Sequence, residues 1–278
     1  MIYNGKTIKI SQHFIVFNKD KTIVLYDKST QKSVFIPTLY WKVIKVSEEL
    51  SCIEEVSQVT GLSAENIKRI LDEGCIIGLF DEKSHIKKNS LAIYNLDMYI
   101  VVNNHVARVI SFLITKFSIA HFLINLFLLT KELKMVQCSD IEVSLLFILI
   151  WIVLIWILST IFHELGHIII GKINGAFIAE VGYSNKGLPS LYTNLCGINS
   201  ITNFSKRIEI FFAGIGVNMI LFNIGYLFLL FLESIKHIAL IIIFENALLI
   251  IINLCFVGKS DGKRIFDEIM IALRSKRG

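Results

Sequence analysis

Residues 143–170 read VSLLFILIWIVLIWILSTIFHELGHIII, a nearly continuous apolar run with ionisable side chains close to its end. Its length exceeds the ~20 residues that an α-helix needs to cross a hydrocarbon core of ~30 Å. Three further apolar runs, at about 107–130, 207–232 and 237–257, are separated by more polar segments. The sequence therefore predicts a mainly α membrane protein with about four transmembrane helices.

The overall composition is that of a membrane protein with a soluble part attached. Of the 278 residues, 54% are hydrophobic and 18% are charged, whereas soluble domains are nearer half apolar and a quarter charged. Residues 1–90 carry frequent charges, and the long apolar runs begin after Val106. The net charge of +5 is small and its excess lies beside the apolar runs. We therefore expect contact with the lipid bilayer and no nucleic-acid binding.

The cysteines do not indicate a disulfide framework or a cysteine-based metal site. They are odd in number, scattered, and none forms a C-x-x-C pair. Their positions are Cys52, Cys75, Cys138, Cys196 and Cys255.

Residues 1–90 begin with short alternating runs of apolar and polar residues, which predict three strands separated by turn residues. Three helical stretches follow, at about 39–50, 53–60 and 63–72. The run 76–80 is expected to return as a strand. This set describes a small α+β domain of the winged-helix type over 1–90, a linker over 91–106 and a membrane domain over 107–278.

The distribution of basic residues predicts the orientation of the spans. The loops 131–140 and 233–236 hold few lysines, and most other lysines and arginines fall on the opposite side of the membrane. That side holds Lys87, Lys88, Lys172, Lys186, Lys206, Arg207, Lys259, Lys263, Arg264 and the basic tail at 274–277. By the positive-inside rule, both termini and the 171–206 loop of this multi-pass cell-membrane protein are expected in the cytoplasm.

The second apolar run contains the motif H-E-x-x-H, as His163, Glu164 and His167. Residues four apart share one face of a helix, with Cβ atoms about 5–6 Å apart, which suits two imidazoles on one Zn²⁺. Glu164 lies beside the same site, so it is the candidate catalytic base that takes a proton from water. Such short motifs also occur by chance, and a histidine in a membrane can bind a neighbouring helix. Three ionisable side chains within a span are nevertheless costly without a function.

A catalytic zinc site usually has three protein ligands and one open position. Asp261 is the candidate third ligand, because it follows the fourth apolar run on the same side of the membrane. Gly258 and Gly262 allow a tight turn that would direct its carboxylate back toward the helices. An alternative is that Asp261 is the N-cap of an amphipathic helix over 263–273, and the two roles can coexist.

These residues resemble the motifs of the site-2 protease family of intramembrane zinc metalloproteases. That family combines H-E-x-x-H with a later N-x-x-P-x-x-x-x-D-G. The later motif is matched here by Asn253, Asp261 and Gly262, with Phe256 at the proline position. The resemblance implies that Asp261 is the third zinc ligand.

Another family element, A-G-P-x-x-N, is similar to AGIGVN at 213–218, where Ile215 stands at the proline position. The resemblance implies that Gly214 and Asn218 bind the substrate, with Asn218 assisting near its carbonyl group.

The stretch that follows the second apolar run, which contains His163 and His167, looks like the bacterial peptide zinc metalloprotease branch of that family. Its P-x-x-Y-x-D pattern is matched by Pro189 and Tyr192, with Asn194 in place of the aspartate. The resemblance covers about residues 140–275 and implies that Tyr192 and Asn194 bind the substrate.

The front domain is similar, more weakly, to the small winged-helix modules that recognise leader peptides in peptide-maturation systems. The break Gly61-Leu62-Ser63 before a helix and the run 71–80 carry this likeness. Such modules bind a leader as an added strand on an exposed sheet edge, so the resemblance implies a precursor-peptide leader as a partner. Any small α+β regulatory domain is the alternative.

The motifs together predict a zinc metalloendopeptidase that cleaves a peptide or membrane-protein substrate at the cytoplasmic side of the membrane. The expected role is maturation or export of a ribosomally made modified peptide. The alternatives are a regulated protease of a membrane-bound regulator and a non-catalytic membrane immunity or scaffold protein. Glu245 and Asn246 interrupt the fourth apolar run, and helix-to-helix hydrogen bonding is expected of them.

Overall fold

The computed structural model describes most of the chain, as two compact units, Met1–Asn95 and Leu96–Gly278, each with its own hydrophobic core. The described residues are 1–3, 6–12, 14–19, 22–28, 30, 32–80, 91–94, 104–132, 144–184, 190–255 and 260–275. Several positions named above lie outside them: Lys87, Lys88, Cys138, Lys186, Pro189, Phe256, Gly258, Lys259, residues 276–277 and most of the predicted linker.

The first unit is a small sheet region followed by three helices. Its elements are β1 Ile2–Tyr3, β2 Lys6–Thr7, β3 Phe14–Lys19, β4 Thr22–Asp27, β5 Lys32–Pro37, α1 Thr38–Glu49, α2 Ile53–Thr60, α3 Ala64–Ile76 and β6 Leu91–Tyr94. β1 pairs with β2, and β3, β4 and β5 form an antiparallel sheet in that order. Ile23, Val24, Leu25 and Tyr26 of the central strand β4 are all buried. The three strands predicted at the start of this unit correspond to β3–β5, and its three predicted helices are confirmed as α1–α3.

The break between α2 and α3 forms where the sequence predicts it. Gly61 ends α2 with φ 71°, a left-handed conformation that glycine adopts without a Cβ clash. The Ser63 side chain accepts a hydrogen bond of 3.4 Å from the backbone N–H of Asn66 and caps α3.

The strand expected over 76–80 is wrong. α3 continues to Ile76, and the residues after it form a turn in which the N–H of Leu79 bonds to the carbonyl oxygen of Gly74 at 3.0 Å. Leu79 and Phe80 are buried in the core. The Phe80 ring covers Gly74, where a Cβ would lie 2.7 Å from a ring carbon. Leu79 and Phe80 therefore fill the core beside α3 instead of pairing with the sheet.

The second unit is built mainly from long helices. Its elements are α4 Asn104–Phe112, a π-helical turn Leu113–Phe117, α5 Ser118–Glu132, α6 Leu145–Ile173, β7 Phe177–Ser184, β8 Ser190–Cys196, a 3₁₀ turn Ile198–Ser200, α7 Phe204–Phe231, a 3₁₀ turn Glu233–Ile235, α8 Lys236–Leu254 and α9 Asp261–Ser275.

Four helical segments among the described residues are long and apolar enough to cross a membrane, as predicted. They are His105–Thr130, Leu145–Ile173, Phe204–Phe231 and Glu233–Leu254. The most apolar stretch of α6 is only 11% buried, and large side chains such as Leu149, Ile150 and Val153 are exposed. Water disfavours a helix surface of this kind, whereas lipid suits it.

Small residues on α6 and α7 let these helices approach closely. A Cβ added at Gly166 of α6 would lie 2.9 Å from the carbonyl oxygen of Ala213 on α7. A Cβ added at Gly216 would collide with the carbonyl oxygen of Ile114 in the first span. Such close backbone contact is how helices associate where no water drives their packing. It brings α7 directly against the helix that carries both histidines.

A β-hairpin follows α6. β7 and β8 pair antiparallel, with Glu180 opposite Asn194 and Gly182 opposite Tyr192. Leu195 packs on Gly171 near the end of α6, where an added Cβ would lie 2.7 Å from its side chain. Gly171 is about one helical turn beyond the second histidine, so the hairpin lies near that histidine.

Candidate metal centre

Three buried side chains from two helices meet at one point in the second unit. His163 and His167 lie on α6, and Asp261 is the first residue of α9. Oδ2 of Asp261 lies 3.1 Å from Nε2 of His163 and 3.0 Å from Nε2 of His167, and the two Nε2 atoms are 3.3 Å apart. The three residues are 8%, 7% and 6% exposed. This group could hold a metal ion.

The spacing of these three atoms suits a small divalent ion. Tetrahedral Zn²⁺ with bonds of ~2.05 Å separates its ligand atoms by about 3.3 Å. The separations of 3.0–3.3 Å between the three atoms are close to that value. Ca²⁺ prefers six to eight oxygen ligands at longer distances, so two imidazoles and one carboxylate fit zinc better.

The first turn of α9 lies against the end of α8, and this directs Asp261 toward α6. Ser260 caps α9, because its Oγ accepts a hydrogen bond of 3.3 Å from the N–H of Lys263. A Cβ added at Gly262 would lie 2.5 Å from the carbonyl oxygen of Leu254, so glycine is needed where α9 folds back against the end of α8. The N-cap alternative for Asp261 is therefore wrong, and its carboxylate is left to meet the histidines.

Two contacts hold α9 against α7. Nε of Arg207 donates to Oε2 of Glu268 at 2.8 Å, and both side chains are largely buried. The Arg264 guanidinium lies over the Phe211 ring, 5.9 Å from its centroid. These contacts fix the helix that presents the third candidate ligand.

The surroundings of Asp261 favour its charged form, which is the form that binds metal. Burial raises the pKa of the Asp261 carboxyl, but the imidazoles of His167 and His163 more than offset this. They hold that pKa well below its usual range.

Both imidazoles have a partner on the side of the ring away from Asp261. Nδ1 of His167 lies 2.8 Å from the carbonyl oxygen of Ile210, which is an acceptor, so this nitrogen carries a proton and Nε2 is the atom that could bind an ion. Nδ1 of His163 lies 3.1 Å from the side-chain amide of Asn218. Histidines that bind metals usually have such an outer partner. The family resemblance implies that Asn218 binds the substrate, and the structure places it beside His163.

Gly214 of α7 lies directly against the two imidazoles. A Cβ added there would collide with Nε2 of His163 and would lie 2.5 Å from Nε2 of His167. The resemblance predicts that Gly214 binds the substrate, and the structure places it beside the candidate ligands. The missing side chain keeps space at the two Nε2 atoms.

Gly214→Ala is expected to lower zinc affinity at least about tenfold, because the new methyl group displaces the imidazoles from their common point. The measurement is chelator competition with the full-length protein purified in detergent. Gly225→Ala on the same helix is the control, since its Cβ would meet Ile242 and Ile243 side-chain atoms at 2.9 and 3.1 Å, far from the histidines. Equal zinc affinity in Gly214→Ala and wild-type protein would contradict the expectation.

Glu164, the candidate base, is more exposed than the ligands. It is partly exposed while His163 and His167 are buried. Glu164 directly follows His163 on α6, so a partly exposed carboxylate lies next in sequence to a group of three buried residues that could hold a metal ion.

Tyr192 and Asn194, predicted to bind the substrate, both bind Glu180. The Tyr192 hydroxyl donates to Oε1 of Glu180 at 2.5 Å, and Nδ2 of Asn194 donates to Oε2 at 3.1 Å. Glu180 is only 2% exposed. Sequence reasoning missed this role, although an acidic residue inside the apolar strand FIAEVGYS is an available signal. The three side chains join β7 to β8.

Asn246 confirms the expected helix-to-helix hydrogen bonding, because its Nδ2 donates to Oγ of Ser159 on α6 at 3.2 Å. Ser159 lies one turn before His163 on the same buried face of α6.

Glu245 differs from the expectation: it is buried, and neither carboxylate oxygen has a hydrogen-bond partner among the described residues.

Comparison with known proteins adds no relative: no family model, curated protein or solved structure matches the chain. The case for a function therefore depends on the chemistry and geometry of the chain's own residues.

Proposed function

We propose that the chain is a zinc metalloendopeptidase of the site-2 protease type, which cleaves a peptide bond in or beside the membrane. The meeting of His163, His167 and Asp261 beside Glu164 carries this proposal. Asp261 and His167 are 94 positions apart in the sequence and 3.0 Å apart in space. A chance H-E-x-x-H motif has no reason to meet a buried carboxylate in this way. The resemblance to site-2 protease motifs supports the same activity.

The residues of the site have distinct roles in this reaction. Bound zinc would lower the pKa of water toward ~7 and polarise the substrate carbonyl. The two histidines and Asp261 supply the ligands, and the space at Gly214 leaves both Nε2 atoms unobstructed. Glu164 takes the proton of the attacking water and passes it to the leaving amine.

We propose that the four apolar helices cross the cell membrane with both termini in the cytoplasm. Two features support this orientation. The apolar surface of α6 is exposed. Basic residues lie where α6 ends, at Lys172, and where α7 begins, at Lys206 and Arg207. His167 is six residues from the end of α6 at Ile173, which is about 9 Å along a helix. The reaction would take place near the cytoplasmic surface.

The substrate is proposed to bind in extended form, because a helix hides its carbonyl groups in hydrogen bonds. The β7–β8 hairpin packs on Gly171, about one turn from His167. Strand addition to a sheet edge is a general way to bind an extended peptide. The hairpin is therefore the proposed guide for the segment to be cleaved.

The first unit offers a second place for an extended peptide. β5 is an edge strand of its sheet, and a groove beside it is lined by Val34 and Ile36 of β5 and by Ile70, Glu73 and Gly74 of α3. An added strand on β5 would place alternate side chains in this mostly apolar groove. We propose that it binds the leader of a precursor peptide, as a role in peptide maturation would require.

The test uses full-length protein in detergent micelles with fluorescein-labelled casein, an unfolded probe. Fragments are expected to appear, to disappear after metal removal with 1,10-phenanthroline, and to return when Zn²⁺ is restored. Fragments that persist at the same rate without metal would contradict the proposed chemistry.

A further inference from the structure

We infer that Asn218 is a positioning residue that orients the His163 ring for metal binding, by supplying a hydrogen-bond partner at Nδ1. This rests on the metal centre of the proposed function and not on peptide hydrolysis itself. Asn218 is completely buried, and its amide lies 3.1 Å from Nδ1 of His163. Its Oδ1 is buried and has no hydrogen-bond partner among the described residues. A buried carbonyl without a hydrogen bond is costly, so an arrangement of this amide that gives Oδ1 a donor would be more stable.

The partner at Nδ1 decides whether a histidine can bind metal through Nε2. A ring that binds metal through Nε2 must carry its proton on Nδ1 and needs an acceptor there. The carbonyl oxygen of Ile210 is that acceptor for His167, at 2.8 Å. For His163, the side-chain amide of Asn218 occupies the same place.

An amide, unlike a carbonyl, can serve both tautomers of His163. Without metal, Nε2–H of His163 can donate to Asp261, and Nδ1 then accepts from Nδ2–H of Asn218, at the 3.1 Å separations of both pairs. With a metal ion bound, Nε2 of His163 would supply its lone pair to the ion, and the one ring proton would be on Nδ1. The Asn218 amide then turns over, so that Oδ1 accepts from Nδ1–H and is no longer orphaned.

The position of Asn218 distinguishes this role from substrate binding. Its amide contacts Nδ1, while Asp261 and the ion-binding point lie at Nε2. Complete burial also keeps the side chain from a substrate. Asn218 would therefore act on the reaction only through His163.

The test measures zinc affinity of full-length protein in detergent, by chelator competition, together with the visible absorption bands of the Co²⁺-substituted protein. Asn218→Leu keeps the size of the side chain but has no acceptor, so zinc affinity is expected to fall about 10–100-fold and the Co²⁺ bands to shift. Asn218→Asp keeps an acceptor for Nδ1–H, so its affinity is expected within a few-fold of wild type.

Asn223→Leu is the matched control on the same helix. Oδ1 of Asn223 accepts from Nδ2 of Asn125 at 2.9 Å, so this variant loses a helix-to-helix bond without touching the site. Its zinc affinity and Co²⁺ bands are expected to stay at wild-type values.

Three outcomes would overturn the inference: wild-type affinity in Asn218→Leu, equal losses in the Leu and Asp variants, or an equal loss in Asn223→Leu. Failure of the proposed protease activity would look different. In that case zinc binding and its dependence on Asn218 would remain, and no peptide bond would be cleaved.

Discussion

Glu164→Gln is expected to slow peptide-bond hydrolysis about 10³-fold, the usual scale for removal of a general base. The amide is nearly the same size as the carboxylate but cannot accept the proton of the attacking water. Zinc content should stay at the wild-type level, because the candidate ligands are His163, His167 and Asp261. The measurement is the rate of casein fragment formation, with metal content determined on the same samples.

Glu233→Gln is the matched control for this variant. Glu233 lies at the turn between α7 and α8 and is paired with Lys236 at 3.0 Å, with most of its side chain exposed. Asn218, beside the site, is 15 positions earlier, about 22 Å along a helix. The control should cleave at the wild-type rate. If Glu164→Gln cleaved as fast as the control, Glu164 could not be the base.

The helices of the second unit could be predicted closely because the thickness of a membrane sets their length and composition. The predicted spans 143–170 and 207–232 correspond to Leu145–Ile173 and Phe204–Phe231. The error at 76–80 has a different origin. A short apolar run has the same pattern in a strand and in a buried turn, and only the packing of Phe80 on Gly74 distinguishes them.

Some residues of the candidate site can be predicted from local sequence spacing, and others depend on contacts between distant parts of the chain. His163 and His167 could be proposed from their spacing on one helix, because an α-helix fixes which residues share a face. Asp261 can be proposed from its expected membrane depth and from the family motif, and the structure brings it to the histidines. The contact of Ile210 with His167 could not be predicted, since it uses a backbone carbonyl that any residue has.

The roles of buried polar residues were the hardest to predict. Tyr192 and Asn194 bind Glu180 across the hairpin, a pairing that depends on the register of β7 with β8 and on the bulge between Ile178 and Glu180. A shift of one residue would reverse the faces of these side chains. Sequence patterns indicate that a strand is present, but not its register.

The short α9 connects the architecture to the chemistry. Asp261 begins this helix, the N–H of Lys263 is capped by Ser260, and Glu268 joins the helix to α7 through Arg207. Asp261 is therefore presented by a helix held at several points rather than by a free loop. A site built in this way is preorganised, because the ligand side chains already have the geometry that an ion needs before it binds.

Asp261→Ala is consequently expected to lower zinc affinity about 10³-fold, one ligand's share of the binding free energy of a zinc site. Two imidazoles alone would remain, without the negative charge that balances the ion. Chelator competition on full-length protein measures the affinity, and casein cleavage should be lost in parallel at zinc concentrations that saturate the wild type.

Asp267→Ala is the control, because Asp267 is an exposed acidic residue on the same helix. It should bind zinc as the wild type does, so a loss confined to Asp261→Ala assigns the effect to the ligand and not to the charge of α9. Wild-type zinc affinity in Asp261→Ala would mean that the ion is held elsewhere. The meeting of this carboxylate with His163 and His167 would then have no part in metal binding, and the proposed protease would lose the observation on which it depends.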